Sequence, residues 1–288
     1  MYKVAILGCE NSHANQFLKA VINENLVPDV EFVGVYSHEP EASAKLHDMF
    51  GVPVAESYDQ FVGKVDGIII TARHGDNHYK YAKPYLESGI PIFIDKPITC
   101  TEEDAKAFMQ DLKARNIPVS GGSVCVYNEF VQELKAVVAD KTYGEVNGGF
   151  LRCPINMDNP HGGFFFYTQH LVQVMMEIFG NYPETVRAWQ QGETVHVDVH
   201  YADYDVDLSY VPGSVYYASV SAKTNVVGST YTVSGYFPNE FMDFYRLLKG
   251  EPQKQSYEDF FAPVFVLNAI NRSLLSGEVE RVKRVEEI

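Results

Sequence analysis

Cysteine is scarce in this chain and never paired by spacing: Cys9, Cys100, Cys125 and Cys153 stand far apart, with no Cys-x-x-Cys among them. That pattern reads as reduced thiols in a cytoplasmic protein rather than as a disulfide framework. Positive charge is also short. Lys and Arg number 23 against 38 Asp and Glu, and the formal net charge is −15. Such a balance argues against nucleic acid or an anionic membrane as partner, and it requires that any bound phosphate be held by local backbone donors. No apolar run approaches the length that spans a bilayer, and the first residues read as a strand, not a signal peptide. Internal repeats and low-complexity linkers are lacking as well. What is present is a hydrophobic fraction of 46% over 288 residues. This is enough for one large or two ordinary globular domains with substantial cores.

The first part of the chain alternates strand and helix patterns. Continuous apolar runs at Lys3 to Leu7, Phe32 to Tyr36, Gly67 to Thr71 and Ile92 to Ile94 read as buried parallel strands, with a further short one at Ile117 to Val119. Between them lie helical patterns. One starts near Ser12 and turns Ala14, Phe17, Leu18, Val21 and Ile22 inward. Another runs from about Glu41 to Phe50. A third is capped by Asp76 or Asn77, kinked or cut short by Pro84 and ended by Gly89. The fourth opens behind Thr101 to Asp104. This order predicts a doubly wound parallel sheet over residues 1–120. From about Gly148 the pattern changes to strands, at Val186 to Gln191, Thr194 to Tyr201, Val206 to Val211, Val215 to Ala222 and Thr230 to Gly235. Helices are expected at Thr168 to Phe179, Asn239 to Lys249 and Tyr257 to Leu275, so residues 121–288 read as a second, α+β domain. His196, Asp198 and His200 share one face of a strand and read as its polar side rather than as metal ligands. No metal site is expected.

Glycine is missing where a dinucleotide fingerprint needs it. After the first strand, Gly-x-Gly-x-x-Gly would give a tight turn, close approach to the pyrophosphate and helix–sheet packing. Here those places hold Gly8, Glu10 and His13. Glu10 brings a carboxylate and bulk where a pyrophosphate would run, while Asn11, Ser12 and the helix start still offer backbone donors. The second strand ends in Ser37-His38 instead of the Asp or Glu that would accept a ribose hydroxyl. Ser37 can bond a hydroxyl or a 2′-phosphate, and His38 can assist a phosphate when protonated. The strand 92–94 runs into Asp95-Lys96-Pro97, which puts a lysine at the carboxyl edge, where open α/β sheets place their ligands.

Taken in order, these pieces resemble the Gfo/Idh/MocA family of NAD(P)-dependent oxidoreductases over nearly the full length. The matching stretches are Val4-Ala5-Ile6-Leu7-Gly8, Thr71 to His78 and Asp95-Lys96-Pro97, where the family signature is Glu-Lys-Pro. They continue through Gly144-Glu145-Val146, His161-Gly162-Gly163 to His170, and Phe241-x-x-x-Tyr245 to Leu275. The resemblance implies an N-terminal Rossmann domain followed by a domain with a large, open, mostly antiparallel sheet. It implies NAD(P) as cofactor, with the choice between NAD and NADP left open. Cofactor contacts are expected from Gly8, Glu10, Asn11, Ser12, His13, Ser37, His38, Thr71, Ala72, Arg73, His78, Asp95 and Lys96. It further implies Lys96 beside the nicotinamide and the reacting hydroxyl, and His170 as general acid/base, with one group from each domain meeting the substrate.

The chain departs from the family pattern in two further places. An aspartate is common four residues before the histidine, and here that place holds Phe166; Tyr167 is a candidate to supply a hydroxyl instead. The stretch Ser123 to Asn128 lacks the basic residues usual there. The expected function is hydride transfer between a nicotinamide cofactor and a sugar, polyol or related hydroxy compound. The alternative is a degraded member that binds a nucleotide or sugar for sensing or regulation. A homodimer or homotetramer is expected, because the second sheet has few helices to cover it.

Overall fold

The computed structural model describes residues 1–285, so 286–288 of the expected second domain lie outside the described residues. The chain divides into two compact units. The first comprises Met1–Thr99, Asp104–Gly122 and Gly235–Phe260; the second comprises Cys100–Glu103, Ser123–Ser234 and the chain from Phe261 on.

In the first unit, β1 (Tyr2–Leu7), β2 (Val30–Tyr36), β3 (Gly67–Ile70), β4 (Ile92–Asp95) and β5 (Val119–Gly122) form a sheet in the order β2-β1-β3-β4-β5. Every neighbouring pair is parallel. The crossovers are helical: α1 (Ser12–Leu18), α2 (Pro40–Phe50), α3 (Asp76–Ala82) and α4 (Glu102–Ala114). The doubly wound parallel sheet expected from the sequence is therefore present, with β5 lying slightly later than the run at Ile117 to Val119.

Two local features differ from the sequence pattern. After Leu18 the helix passes into a π-turn, Lys19–Asn23. A π-turn inserts a residue and rotates the side chains beyond it, so Ile22 turns out to solvent at 39% exposure while Ala14, Phe17, Leu18 and Val21 stay inside. The third helix begins on Asp76 itself, with Gly75 as its cap and no side-chain capping bond. Its end follows expectation: the α-helix stops at Ala82, a 3₁₀ turn carries Pro84, and Gly89 closes it in the left-handed region.

The first unit also takes in α7 (Phe237–Leu248) from late in the chain. Phe241 and Phe244 of α7 join Val4, Ile6, Phe17, Ile69 and Phe93 in one core. The Phe17 ring lies 5.2 Å from Phe93 and 5.6 Å from Phe241, centroid to centroid. Position in the chain assigns this helix to the second domain; its apolar face assigns it to the first. The Tyr245 hydroxyl ties the same helix down by donating to Asp29 Oδ1 at 2.6 Å.

The second unit holds a seven-stranded sheet in the order β11-β10-β6-β9-β8-β7-β12. Its strands are β6 (Val146–Pro154), β7 (Thr185–Gln191), β8 (Thr194–His200), β9 (Asp205–Val211), β10 (Tyr216–Ala222), β11 (Val226–Tyr231) and β12 (Glu280–Arg281). All neighbours are antiparallel except β6 and β9. The large, mostly antiparallel sheet is thus present, with β11 earlier than the expected 230–235. Its interior strand β6 and the helix α5 (Glu129–Ala139) have no counterpart among the sequence-based elements. Two glycines and a proline dilute the strand pattern of β6, yet Gly149 has a packing reason. A Cβ there would lie 2.3 Å from the Phe179 ring of α6 (Phe165–Phe179), so only a glycine lets that helix lie flat on the sheet. On β8, Val195, Val197 and Val199 are buried and His196, Asp198 and His200 take the other face, as alternation requires. His200 Nδ1 lies 2.6 Å from Asp205 Oδ1, and the His196 ring stacks on Trp189 at 5.4 Å. The last long helix, α8, spans Tyr257–Ser276, opened by the box in which the Asp259 N–H donates to Ser256 Oγ at 3.0 Å.

Phe17→Ala empties the centre of the aromatic cluster, and a buried aromatic truncated to alanine costs about 3–5 kcal/mol. Urea unfolding followed by intrinsic fluorescence should show that loss; a change below about 1 kcal/mol would mean that Phe17 is not the keystone of this core.

Candidate active site

The carboxyl edge of the parallel sheet gathers most of the residues singled out by the sequence. Gly8 leaves β1 at φ 76°, and a Cβ on it would lie 2.5 Å from Ala72. No side chain fits there, so the backbone turns bare against the end of β3. The edge is knitted by backbone and hydroxyl bonds. The Gly8 and Cys9 N–H groups donate to Tyr36 O at 2.8 and 3.0 Å, and the Thr71 hydroxyl donates to Gly8 O at 3.0 Å.

Glu10 does not project into the turn as its place in the motif suggests. Its side chain is buried at the ends of β2 and β3. Oε2 accepts the Ser37 hydroxyl at 2.6 Å, Oε1 accepts the Arg73 N–H at 3.1 Å, and His38 Nδ1 lies 3.7 Å from Oε1. The Ser37 hydroxyl is therefore already engaged, and its oxygen also accepts the Glu39 N–H at 3.0 Å.

Asp95 and Lys96 end β4 and are both buried. Asp95 Oδ1 accepts the Lys96 N–H at 2.7 Å, and Oδ2 accepts the Asn11 side-chain amide at 2.6 Å. Asn11 also caps α1, its Oδ1 accepting the Ser12 N–H at 2.7 Å, while Ser12 stays exposed. His13, at the third glycine position, turns inward. Its Nδ1 lies 3.2 Å from Asp95 and its Nε2 3.4 Å from Glu240 of α7. Phe237 packs edge-on against the ring at 4.9 Å. Among the described residues, neither His13 nitrogen and neither Glu240 oxygen finds a hydrogen bond of good geometry.

Burial decides the charges in this cluster. It pushes the His13 pKa well below the ordinary value, with the Lys96 charge adding to the effect. It raises Asp95 to about 7 against the opposing pull of the Lys96 charge and N–H. It also raises Glu240 well above the usual carboxylate range, helped by the neighbouring Asp95. A neutral imidazole, a protonated Glu240 and a charged Asp95 facing Lys96 is the arrangement that buries the least net charge. His78 is likewise kept neutral: burial lowers it to about 4, and its nitrogens lie 2.8 Å from Ala72 O and 3.3 Å from Ile98 O. His13 and His78 thus face the protein, whereas Ser12, His38 and Arg73 remain partly open to solvent.

A second constellation lies in the other unit. His170 stands on the second turn of α6, its Nδ1 2.6 Å from Ser123 Oγ and 3.4 Å from Cys125 Sγ. Ser123 is held in turn by the Cys125 N–H, which donates to Oγ at 3.2 Å. Tyr167 lies one turn earlier with its ring 6.2 Å from the imidazole, and Phe166 packs against Tyr167 and His161. The sequence pointed to His170 and Tyr167 but not to Ser123, Cys125 or Glu240. Hydroxyl, thiol and carboxyl groups carry no local signal when their partner is remote in the chain.

A profile described as "Oxidoreductase family, NAD-binding Rossmann fold" matches residues 2–122. Over these residues the chain is similar to the Gfo/Idh/MocA oxidoreductase family. An uncharacterised oxidoreductase of Streptococcus pneumoniae is 23% identical over 187 residues, 60% of this chain and 50% of that relative. The chain thus spans about half the length of this curated relative. Among solved structures, myo-inositol 2-dehydrogenase from Lactobacillus plantarum superposes with a TM-score of 0.86 at 14% identity, covering 98% of this chain and 99% of that one. A protein from gentamicin A biosynthesis, solved in complex with NAD, gives 0.82 at 16%, covering 98% and 96%. At such identities the likeness is one of fold.

A carboxyl whose pKa is raised by folding adds stability that is complete below the unfolded value and is lost as pH rises toward the folded one. Glu240→Gln removes that loss. The stability of the variant relative to the wild type should grow by up to about 1.4 kcal/mol per pH unit above about 4.3. Urea unfolding between pH 5 and 8 measures it, and a pH-independent difference would show that Glu240 is an ordinary carboxylate.

Proposed function

We propose that this protein is an NAD(P)-dependent oxidoreductase that moves a hydride between the nicotinamide and a CH–OH carbon of a sugar, polyol or related hydroxy compound. The observation that carries this reading is Lys96, a buried lysine at the carboxyl end of β4, braced through Asp95 beside the bare turn at Gly8. The dinucleotide fits the chain's own atoms there, since Gly8 leaves the turn free of a side chain and Glu10 is folded away. Gly8 to Ser12, Thr71 to Arg73 and Asp95 to Lys96 would hold it. Matching folds named as myo-inositol dehydrogenases, from Sinorhizobium meliloti and Lactobacillus plantarum, support a polyol as substrate.

When bound, the nicotinamide supplies the hydride acceptor or donor. The chain's own residues handle the proton and the charge. Lys96 Nζ stabilises the alkoxide that develops as the hydroxyl is oxidised. His170 takes the hydroxyl proton on Nε2, because Nδ1 faces Ser123. In the tautomer whose Nδ1–H donates to Ser123 Oγ, the lone pair lies on Nε2. Ser123 thereby takes over the orienting work that an acid partner does for other catalytic histidines, and Tyr167 lines the substrate side.

The same reading assigns the protein to the cytoplasm, on its scattered cysteines, and to a homodimer or homotetramer. For assembly the support is the outer face of the seven-stranded sheet. There Phe150 and Trp189 are 37% and 43% exposed among polar neighbours. No helix among the described residues is long and apolar enough to cross a membrane.

Lys96→Ala should lower kcat by about 10²–10⁴-fold while cofactor affinity changes by less than about tenfold. His170→Ala should do the same and flatten the pH–rate profile. A polyol screen with both cofactors reads the first effect, and full activity in Lys96→Ala would end the proposal. Light scattering at micromolar concentration tests the assembly; a monomer there would refute it.

A further inference from the structure

A Rossmann sheet meets the adenosine ribose at the end of its second strand, where an acid accepts the 2′-hydroxyl and a basic residue accommodates a 2′-phosphate. Here β2 ends in Ser37-His38 and offers no acid of its own. The carboxylate comes from the β1–α1 turn instead. Glu10 Oε2 accepts the Ser37 hydroxyl at 2.6 Å and Oε1 accepts the Arg73 N–H at 3.1 Å, with His38 Nδ1 3.7 Å from Oε1. A second carboxylate, Glu39, lies 3.6 Å from the Arg73 guanidinium and 3.9 Å from His38 Nε2. Every group that could hold a 2′-phosphate at this edge is therefore already turned toward an acid.

We infer that Glu10, set at the position of the second fingerprint glycine, supplies the acid missing from β2 and makes this site select NAD(H) over NADP(H). The inference rests on the dinucleotide reading above and specifies the cofactor. The physical basis is charge. The Glu10 side chain is shielded from solvent, so salt and water screen it less than a surface acid. A 2′-phosphate brought to Ser37 and His38 would add further negative charge beside Glu10 and Glu39, against one guanidinium. An unmodified ribose brings none. The two departures from the fingerprint, an acid in the turn and no acid at the end of β2, are then one feature: the same charge carried by a different strand end.

Isothermal titration of the full chain with NADH and with NADPH tests this without turnover. The wild type should bind NADH at least about tenfold more tightly. Glu10→Gln keeps an acceptor for Ser37 and removes the charge, so it should narrow that ratio several-fold. Glu39→Gln, at a half-buried position whose side chain makes no capping bond to α2, should narrow it by about two- to threefold. Equal or tighter binding of NADPH by the wild type overturns the inference, as does an unchanged ratio in Glu10→Gln with an unchanged melting temperature. Failure of both dinucleotides to bind instead overturns the oxidoreductase reading beneath it.

Discussion

A carboxyl group shut away from water sits at the end of β4, and much of the first unit is arranged to satisfy it. Asp95 is 0% exposed and ends the strand that carries Lys96. A buried acid is tolerable only when donors and a counter-charge surround it. Asn11 supplies one donor from the β1–α1 turn, the Lys96 N–H supplies another, and His13 closes the third side. Each of these also has structural work: Asn11 caps α1, and His13 stands between β4 and α7. The position of the lysine is in this way coupled to the fold of three separate segments.

That coupling accounts for the discontinuity of the first unit. A neutral, buried His13 leaves its second nitrogen facing α7, and Glu240 meets it there in protonated form. The same helix contributes Phe237 against the imidazole and Phe241 against Phe17. A glycine at position 13 would let helix and sheet close directly. A histidine needs a lid that is apolar around the ring and acidic at its edge, and α7 provides both. The acid in the turn at position 10 is handled in the same manner, by a hydroxyl from β2 and an amide from β3. Both side chains that replace glycines are folded inward, Glu10 onto two hydrogen-bond donors and His13 between Asp95 and Glu240.

In the second unit the corresponding constraint is steric. α6 carries His170, and it lies close to the sheet because β6 has a glycine at position 149. The helix is buried along most of its length, so the orientation of His170 is fixed by packing, and its Nδ1 is fixed by Ser123 and Cys125. The aromatic run Phe164 to Tyr167 packs around the start of that helix. Phe164 stacks edge-on against Tyr210 of β9, and Phe166 lies between His161 and Tyr167.

The sequence by itself determined the alternating α/β order of the first sheet, the strand-rich character of the second part, the left-handed end at Gly89 and the places of Lys96 and His170. These arise from interactions within a few residues: apolar periodicity, turn chemistry and the motif that ends β4. It also showed that the fingerprint glycines were replaced. It could not show what the replacements do, because their partners are distant in the chain. Ser37 is 27 positions from Glu10, and Asp95 is 84 from Asn11. The interior strand β6 escaped for a related reason, since Gly149 serves a helix packed on the sheet, Gly148 the close backbone of β9, and both weaken the local strand pattern. Only the tertiary structure decided that α7 belongs with the first sheet, that Glu10 and His13 point inward, and that a serine braces His170. Buried polar groups are satisfied by whatever the fold brings within 3 Å, and local sequence carries no record of that.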